Sequence, residues 1–117
     1  MSTKVLVVED QEAVRRFIGD LILRTNPDVS VVLASSVSEA FSAIEDSETF
    51  DVLLTDFDLG DGTGNDVAAK FAAKFPKASM FGMSGNPNSA FNPQHFTVIL
   101  SKPFGETEKA ALTDICS

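Results

Sequence analysis

At 117 residues, with 44 % hydrophobic and 22 % charged side chains, the chain has the size of one ordinary domain and enough apolar surface to bury a core, which excludes disorder by composition. Its net charge of −8 excludes the clustered positive field of a nucleic-acid binder and adhesion to an anionic membrane, and it suits a protein that gathers carboxylates around a cation. No apolar run is long enough to span a membrane, the N-terminal run meets Glu9 and Asp10 too early for a signal peptide, and the single Cys116 cannot form an internal disulfide, so the expectation is one cytoplasmic domain over 1–117.

Short apolar runs alternate with helical patterns. Val5 to Val8 is a continuous apolar run, as in a strand buried on both faces. Val14, Phe17, Ile18, Leu21 and Ile22 then form one helical stripe, stopped by Asn26-Pro27-Asp28. Val29 to Ala34 is a second strand, and Ser36 with Glu39 predicts a capping box for a helix whose stripe is Val37, Ala40, Phe41 and Ile44. Val52 to Thr55 is a third strand. The glycine-rich turn 60–64 leads into a helix with Val67, Ala68, Phe71, Ala72 and Phe75 on one side. Ser79 to Met83 and Phe96 to Leu100 are the fourth and fifth strands, and a last helix is predicted over 106–115. Between strands four and five, Pro87, Pro93 and the asparagines around them predict an irregular loop with at most one helical turn. Such alternation implies an α/β fold, a doubly wound parallel sheet with helices on both faces. Ligands of such folds sit beyond the carboxyl ends of the strands.

Those strand ends carry a short list of polar residues: Glu9 and Asp10 after strand one, Asp56 with Asp58 and Asp61 after strand three, Ser84 after strand four, Lys102 after strand five. With strands one and three as neighbours, these residues converge. Three carboxylates at close quarters repel one another and require a proton or a cation. Oxygen ligands without cysteine or histidine suit a hard ion, with Mg²⁺ favoured because it takes few carboxylates and shares phosphate oxygens. Asp56 has the chemistry of a carboxylate nucleophile toward phosphorus, Lys102 that of a fixed positive charge, and Ser84 that of a hydroxyl donor to a phosphoryl oxygen. Each residue also has a plainer role open to it. Asp10 could be a helix N-cap, Ser84-Gly85 a turn, Lys102 a solvated charge, and Asp61 a solvated turn residue. It is the conjunction of four strand ends that favours phosphoryl chemistry. His95 precedes strand five at the remote end and has no predicted role, and Phe91 and Phe96 are expected to anchor core or loop.

As a set, Val5 to Asp10, Asp56 after Val-Leu-Leu-Thr, Met83-Ser84-Gly85 and Ser101-Lys102-Pro103-Phe104 resemble the receiver domain of two-component response regulators (CheY-like), across the whole chain and in order. The resemblance implies a flavodoxin-like (βα)5 fold of five strands in order 2-1-3-4-5. Here the fourth helix is expected to be short or missing, because only 18 positions separate Ser84 from Lys102. It implies that Asp56 accepts a phosphoryl group from a phosphohistidine on a histidine kinase or histidine phosphotransfer protein. It further implies Mg²⁺ on Glu9, Asp10, Asp56 and the backbone carbonyl of Asp58, phosphoryl oxygens on Ser84 and Lys102, and slow self-catalysed hydrolysis in place of enzymatic turnover. Two further departures stand out. Leu59-Gly60 replaces a usual X-Pro, which would loosen the loop. Ile99 occupies a position usually held by Tyr or Phe three residues before the lysine, which puts the family's usual aromatic switch in question.

Two other readings compete. Asp56-Phe57-Asp58 is similar to the D-x-D of haloacid-dehalogenase-type phosphatases, but that reading lacks a later acidic pair and leaves Glu9 and Asp10 unused. A phosphorylation-independent interaction module is the other. An EF-hand over 56–67 fails because Val67 stands where the twelfth-position Glu belongs. The kinase and output are not encoded, a stand-alone protein and a fragment fit equally, and a monomer is expected.

Overall fold

The computed structural model describes residues 3–85, 90–96 and 98–102. The elements run β1 (Lys4–Val8), α1 (Glu12–Thr25), β2 (Ser30–Ala34), α2 (Val37–Asp46), β3 (Val52–Asp56), α3 (Gly64–Lys74), β4 (Ser79–Ser84) and β5 (Val98–Ser101). The five strands form one sheet in the order β2-β1-β3-β4-β5, and every neighbouring pair is parallel. This is the predicted fold class and strand order. Gly85 is a bend, 93–95 a turn and 90–92 irregular, with no helix among the described residues of that connection. The helix predicted over 106–115, together with Pro103 and Cys116, lies outside the described residues.

The apolar runs of β1 and β3 are continuous because the sheet has a core on each face, and alternate residues feed opposite cores. Val5, Val7, Val52 and Leu54 pack with Ile18 and Ile22 of α1, while Leu6, Val8 and Leu53 pack with Val37, Ala40 and Ile44 of α2 and Val67, Ala68 and Phe71 of α3. Each fully buried Val, Leu or Ile contributes about 1.5–3 kcal/mol to this two-sided packing. Phe17 departs from its predicted stripe: it is 47 % exposed. It sits at the stripe's edge, where α1 borders an apolar cleft of about 600 Å³ that also touches Gln11, Val14, Gly85 and Lys102. No helix among the described residues is long and apolar enough to cross a membrane.

The helix starts differ from expectation in an informative way. Ser36 caps α2 as predicted, its side chain accepting the Glu39 N–H at 3.1 Å. The return half of the box is diverted: the Glu39 carboxylate takes the N–H and hydroxyl of Ser35, both at 2.7 Å, and these bonds hold its pKa below the usual value. The first two amides of α2 instead donate to Asp61, from Val37 at 2.9 Å and Ser38 at 3.1 Å. Asp61 is therefore no idle turn residue, since it fastens the β3–α3 loop to α2. Its pKa is depressed by those two backbone bonds. At α3, Asp66 accepts the N–H of the N-cap Thr63 at 2.9 Å, a box that a Thr-x-x-Asp pattern could have announced.

Candidate functional site

β1 and β3 lie side by side, with Val8 opposite Thr55, so the residues just beyond them meet. The Glu9 N–H continues the β1–β2 ladder by donating to the Ala34 carbonyl at 3.0 Å, which holds Glu9 at the strand end with its side chain fully buried. Asp10 does not serve as the cap of α1: that place is taken by Gln11, without a side-chain bond. Instead, carboxylate oxygens of Glu9, Asp10 and Asp56 lie within 4.8 Å of one another.

Lys102 is brought to this cluster by the far edge of the sheet. Its backbone N–H donates to the Ser84 carbonyl at 3.0 Å, so the ends of β4 and β5 are tied together and Ser84 and Lys102 arrive at one level. The Lys102 ammonium contacts Glu9 Oε1 at 2.5 Å and Asp56 Oδ2 at 3.4 Å. The other Asp56 oxygen, Oδ1, accepts the N–H of Phe57 at 2.9 Å, and the Asp10 N–H reaches Glu9 Oε2 at 3.1 Å. Nearby, Arg15 of α1 donates to the Glu9 carbonyl at 2.9 Å.

One ammonium among three carboxylates leaves the cluster with excess negative charge. Burial first, and then the neighbouring Asp56, push the Glu9 carboxyl up to about 7 against the opposing pull of Lys102. For Lys102, burial alone would lower the pKa, but its contacts with Glu9 and Asp56 outweigh that and leave it raised. A carboxyl whose ionisation is opposed by burial and by a neighbouring carboxylate is in the electrostatic condition that a divalent cation relieves. The donor set, all oxygen and no more than three carboxylates, fits Mg²⁺.

The carboxylates of Asp58 and Asp61 are not among the three that converge. Asp58 pairs with Thr63 in an antiparallel bridge, and its carboxylate accepts the Gly60 N–H at 3.3 Å. The turn between them is firmly set: Leu59 is buried, its N–H donates to the Gly62 carbonyl at 3.1 Å, and Gly60 adopts φ +81°, a left-handed conformation that costs glycine nothing. The Leu59-Gly60 departure thus gives a closed turn and not a loose one. His95 lies in the turn before β5, away from the strand ends, and Phe96 is buried while Phe91 packs partly buried against the same core. Sequence reasoning missed Asn65, whose side-chain amide donates to the Ala90 carbonyl at 2.9 Å and accepts the Asn92 N–H at 2.8 Å. No local pattern marks a bond between residues 25 positions apart.

The family model for the response regulator receiver domain matches residues 5–112. No curated protein matches the chain. Among solved structures, the signal receiver domain of an HD domain-containing protein from Pseudomonas fluorescens Pf-5 is 19 % identical with a TM-score of 0.84, over 99 % of this chain and 94 % of that one. Response regulator protein TrrA from Thermotoga maritima, in complex with Mg(2+)-BeF, is 16 % identical with a TM-score of 0.82, over 97 % and 98 %. The receiver domain of the hybrid histidine kinase CckA is 22 % identical with a TM-score of 0.77, over 97 % and 99 %. At these identities the likeness is one of fold. By its family model and its sheet, the chain belongs to the response regulator receiver domain family.

Proposed function

We propose that this chain is a phosphoryl-accepting signalling domain of a two-component or phosphorelay system, with Asp56 as the acceptor. The observation that carries the reading is the convergence of Glu9, Asp10 and Asp56 within 4.8 Å, with Lys102 bridging Glu9 and Asp56. In the proposed reaction an Asp56 oxygen attacks the phosphorus of a phosphohistidine. The O–P bond forms as the P–N bond breaks, and the leaving imidazole takes up a proton. Lys102 and the Ser84 hydroxyl hold phosphoryl oxygens, and the Phe57 N–H fixes the carboxylate of Asp56. Glu9, Asp10, Asp56 and the Asp58 carbonyl would hold Mg²⁺, which supplies positive charge to the phosphoryl oxygens. The Mg(2+)-BeF complex of the Thermotoga maritima relative supports that choice of ion.

The donor in this reading is a histidine kinase or a histidine phosphotransfer protein, and the apolar cleft at Phe17 beside Lys102 offers it a surface. In this reading residues 1–117 form one cytoplasmic, monomeric receiver domain, and the phosphoryl group is lost slowly by self-catalysed hydrolysis. Against a phosphatase, that reading leaves Glu9 and Asp10 without a role, although both converge with Asp56.

Incubation with a small acyl phosphate and Mg²⁺ tests this reading by intact mass. The expected result is one phosphoryl group per chain, slowly lost, and absent in Asp56→Asn. Rapid turnover of a phosphomonoester would instead mean a phosphatase, and no incorporation would leave an interaction module.

A further inference from the structure

Arg15 of α1 brackets Asp10, the carrier of one of the three converging carboxylates. Its backbone N–H donates to the Gln11 carbonyl at 2.9 Å, and its guanidinium reaches back past Asp10 to donate to the Glu9 carbonyl, also at 2.9 Å. Asp10 therefore lies inside a loop that Arg15 closes at both ends. Asp10 is exposed, so its carboxylate is placed by the backbone that carries it and not by packing around it. On the strand side, the Glu9 N–H is tied to the Ala34 carbonyl at 3.0 Å. Register brings the carboxylates together, and these bonds set their aim.

The Glu9 carbonyl and the Asp10 N–H belong to one peptide group, and a planar trans peptide points them in opposite directions. Fixing the carbonyl on Arg15 aims the N–H the other way, where it meets Glu9 Oε2 at 3.1 Å. A cationic donor on the carbonyl also polarises the amide and strengthens the bond its N–H gives to the carboxylate. We propose that Arg15 is a positioning residue for the cation site, acting through the Glu9–Asp10 peptide on the carboxylates of both residues. This rests on the proposed Mg²⁺ site at Glu9, Asp10 and Asp56. On charge alone Arg15 would do the opposite. A guanidinium beside a dication repels it, so its removal would tighten Mg²⁺. As a positioning residue, its removal weakens Mg²⁺. The sign of the effect separates the two.

The test titrates Mg²⁺ into the full chain and follows the ¹H–¹⁵N amide resonances of Glu9, Asp10 and Asp56. Arg15→Met keeps an apolar stem and removes the donor. It should bind Mg²⁺ about tenfold more weakly. In the metal-free variant the Asp10 amide proton should move upfield, the direction of a weaker hydrogen bond. Arg15→Lys keeps a cationic donor and should recover part of both changes. Arg15→Ala should repeat the Arg15→Met result, which covers the case that Arg15→Met does not fold. Lys74 provides the control. Its ammonium donates to the main-chain carbonyls of Ile44 at 2.7 Å and Glu45 at 3.0 Å, in the last turn of α2. Lys74→Met removes the same charge and the same kind of bond, and should lower the urea midpoint while keeping Mg²⁺ affinity. Unchanged or tighter Mg²⁺ binding in the folded Arg15 variants, an unmoved Asp10 amide, or an equal loss in Lys74→Met overturns the inference while the cation site stands. A parent chain whose three amides ignore excess Mg²⁺ overturns both.

Discussion

The strand-end cluster and the segment between β4 and β5 are built on opposite plans. In the cluster, Glu9, Asp10, Asp56 and Lys102 each stand at the end of a strand or just beyond it, and parallel pairing alone brings them together. In the segment, Phe91 depends on Gly64, Asn65, Gly82 and Phe57, none of them its neighbours in sequence. The first is fixed by register, which tolerates change in most side chains around it. The second is fixed by close packing, where one added methyl is felt. The strand-end cluster can therefore persist while the packing beside it is rebuilt.

The largest expected effect lies in the cluster and concerns pH. Glu9 is raised from 4.5 to about 7, chiefly by burial. A carboxyl raised on folding binds its proton more tightly in the native state. The stability this contributes is present below 4.5 and lost as pH rises toward 7. The metal-free protein should therefore weaken across that window, and Glu9→Gln should remove that slope. On the proposed reading Mg²⁺ must displace the Glu9 proton, so its affinity should fall by up to about tenfold per pH unit below 7. Calorimetry in buffers of differing ionisation enthalpy reads the released proton directly. Equal Mg²⁺ affinity at pH 8 and pH 6 would remove Glu9 from the ligand set.

The next effect falls where the two regions touch. Gly64 opens α3, and a Cβ there would meet the Asp56 carbonyl at 2.5 Å, a backbone atom that cannot swing aside. Gly64→Ala should cost about 1–3 kcal/mol by overpacking, measured as a lower urea midpoint with an unchanged slope. Because the strain is delivered to Asp56 itself, phosphoryl incorporation should fall as well. A stable Gly64→Ala protein with normal incorporation would show that the acceptor strand and α3 move independently.

What the sequence disclosed follows the same division. The two-sided apolar runs of β1 and β3 announced a parallel sheet, and polar residues after each run announced the cluster, because both depend on residues adjacent in sequence. The start of α2 was half legible. Ser36 signalled its cap, but Glu39 was drawn to Ser35 and the helix amides went to Asp61, 24 positions from Val37. Phe17 fitted the apolar stripe of α1, yet a periodicity cannot tell the stripe's edge from its centre, and the edge is exposed. Asn65 and the glycines under Phe91 carried no signal at all, since their roles exist only after the chain has closed on itself.

Asp61 gives the smallest predicted effect and the sharpest test of where the cluster ends. It is an exposed aspartate five residues beyond Asp56, and by composition it could belong to a cation site. In the structure its two oxygens are committed to the Val37 and Ser38 amides, and its depressed pKa follows from those bonds. Asp61→Ala should lower thermal stability modestly, less than Gly64→Ala, through the loss of a helix cap. The stabilising contribution of Asp61 should be present at neutral pH and fade as pH falls through its depressed pKa, the reverse of the Glu9 trend. Asp61→Asn should recover part of the loss, because an amide oxygen still accepts one bond. Mg²⁺ affinity and phosphoryl incorporation should match the parent protein in both variants. A drop in Mg²⁺ affinity beyond the small change expected from one distant charge would extend the cation site past Asp58 and redraw the boundary between the chemistry and its support.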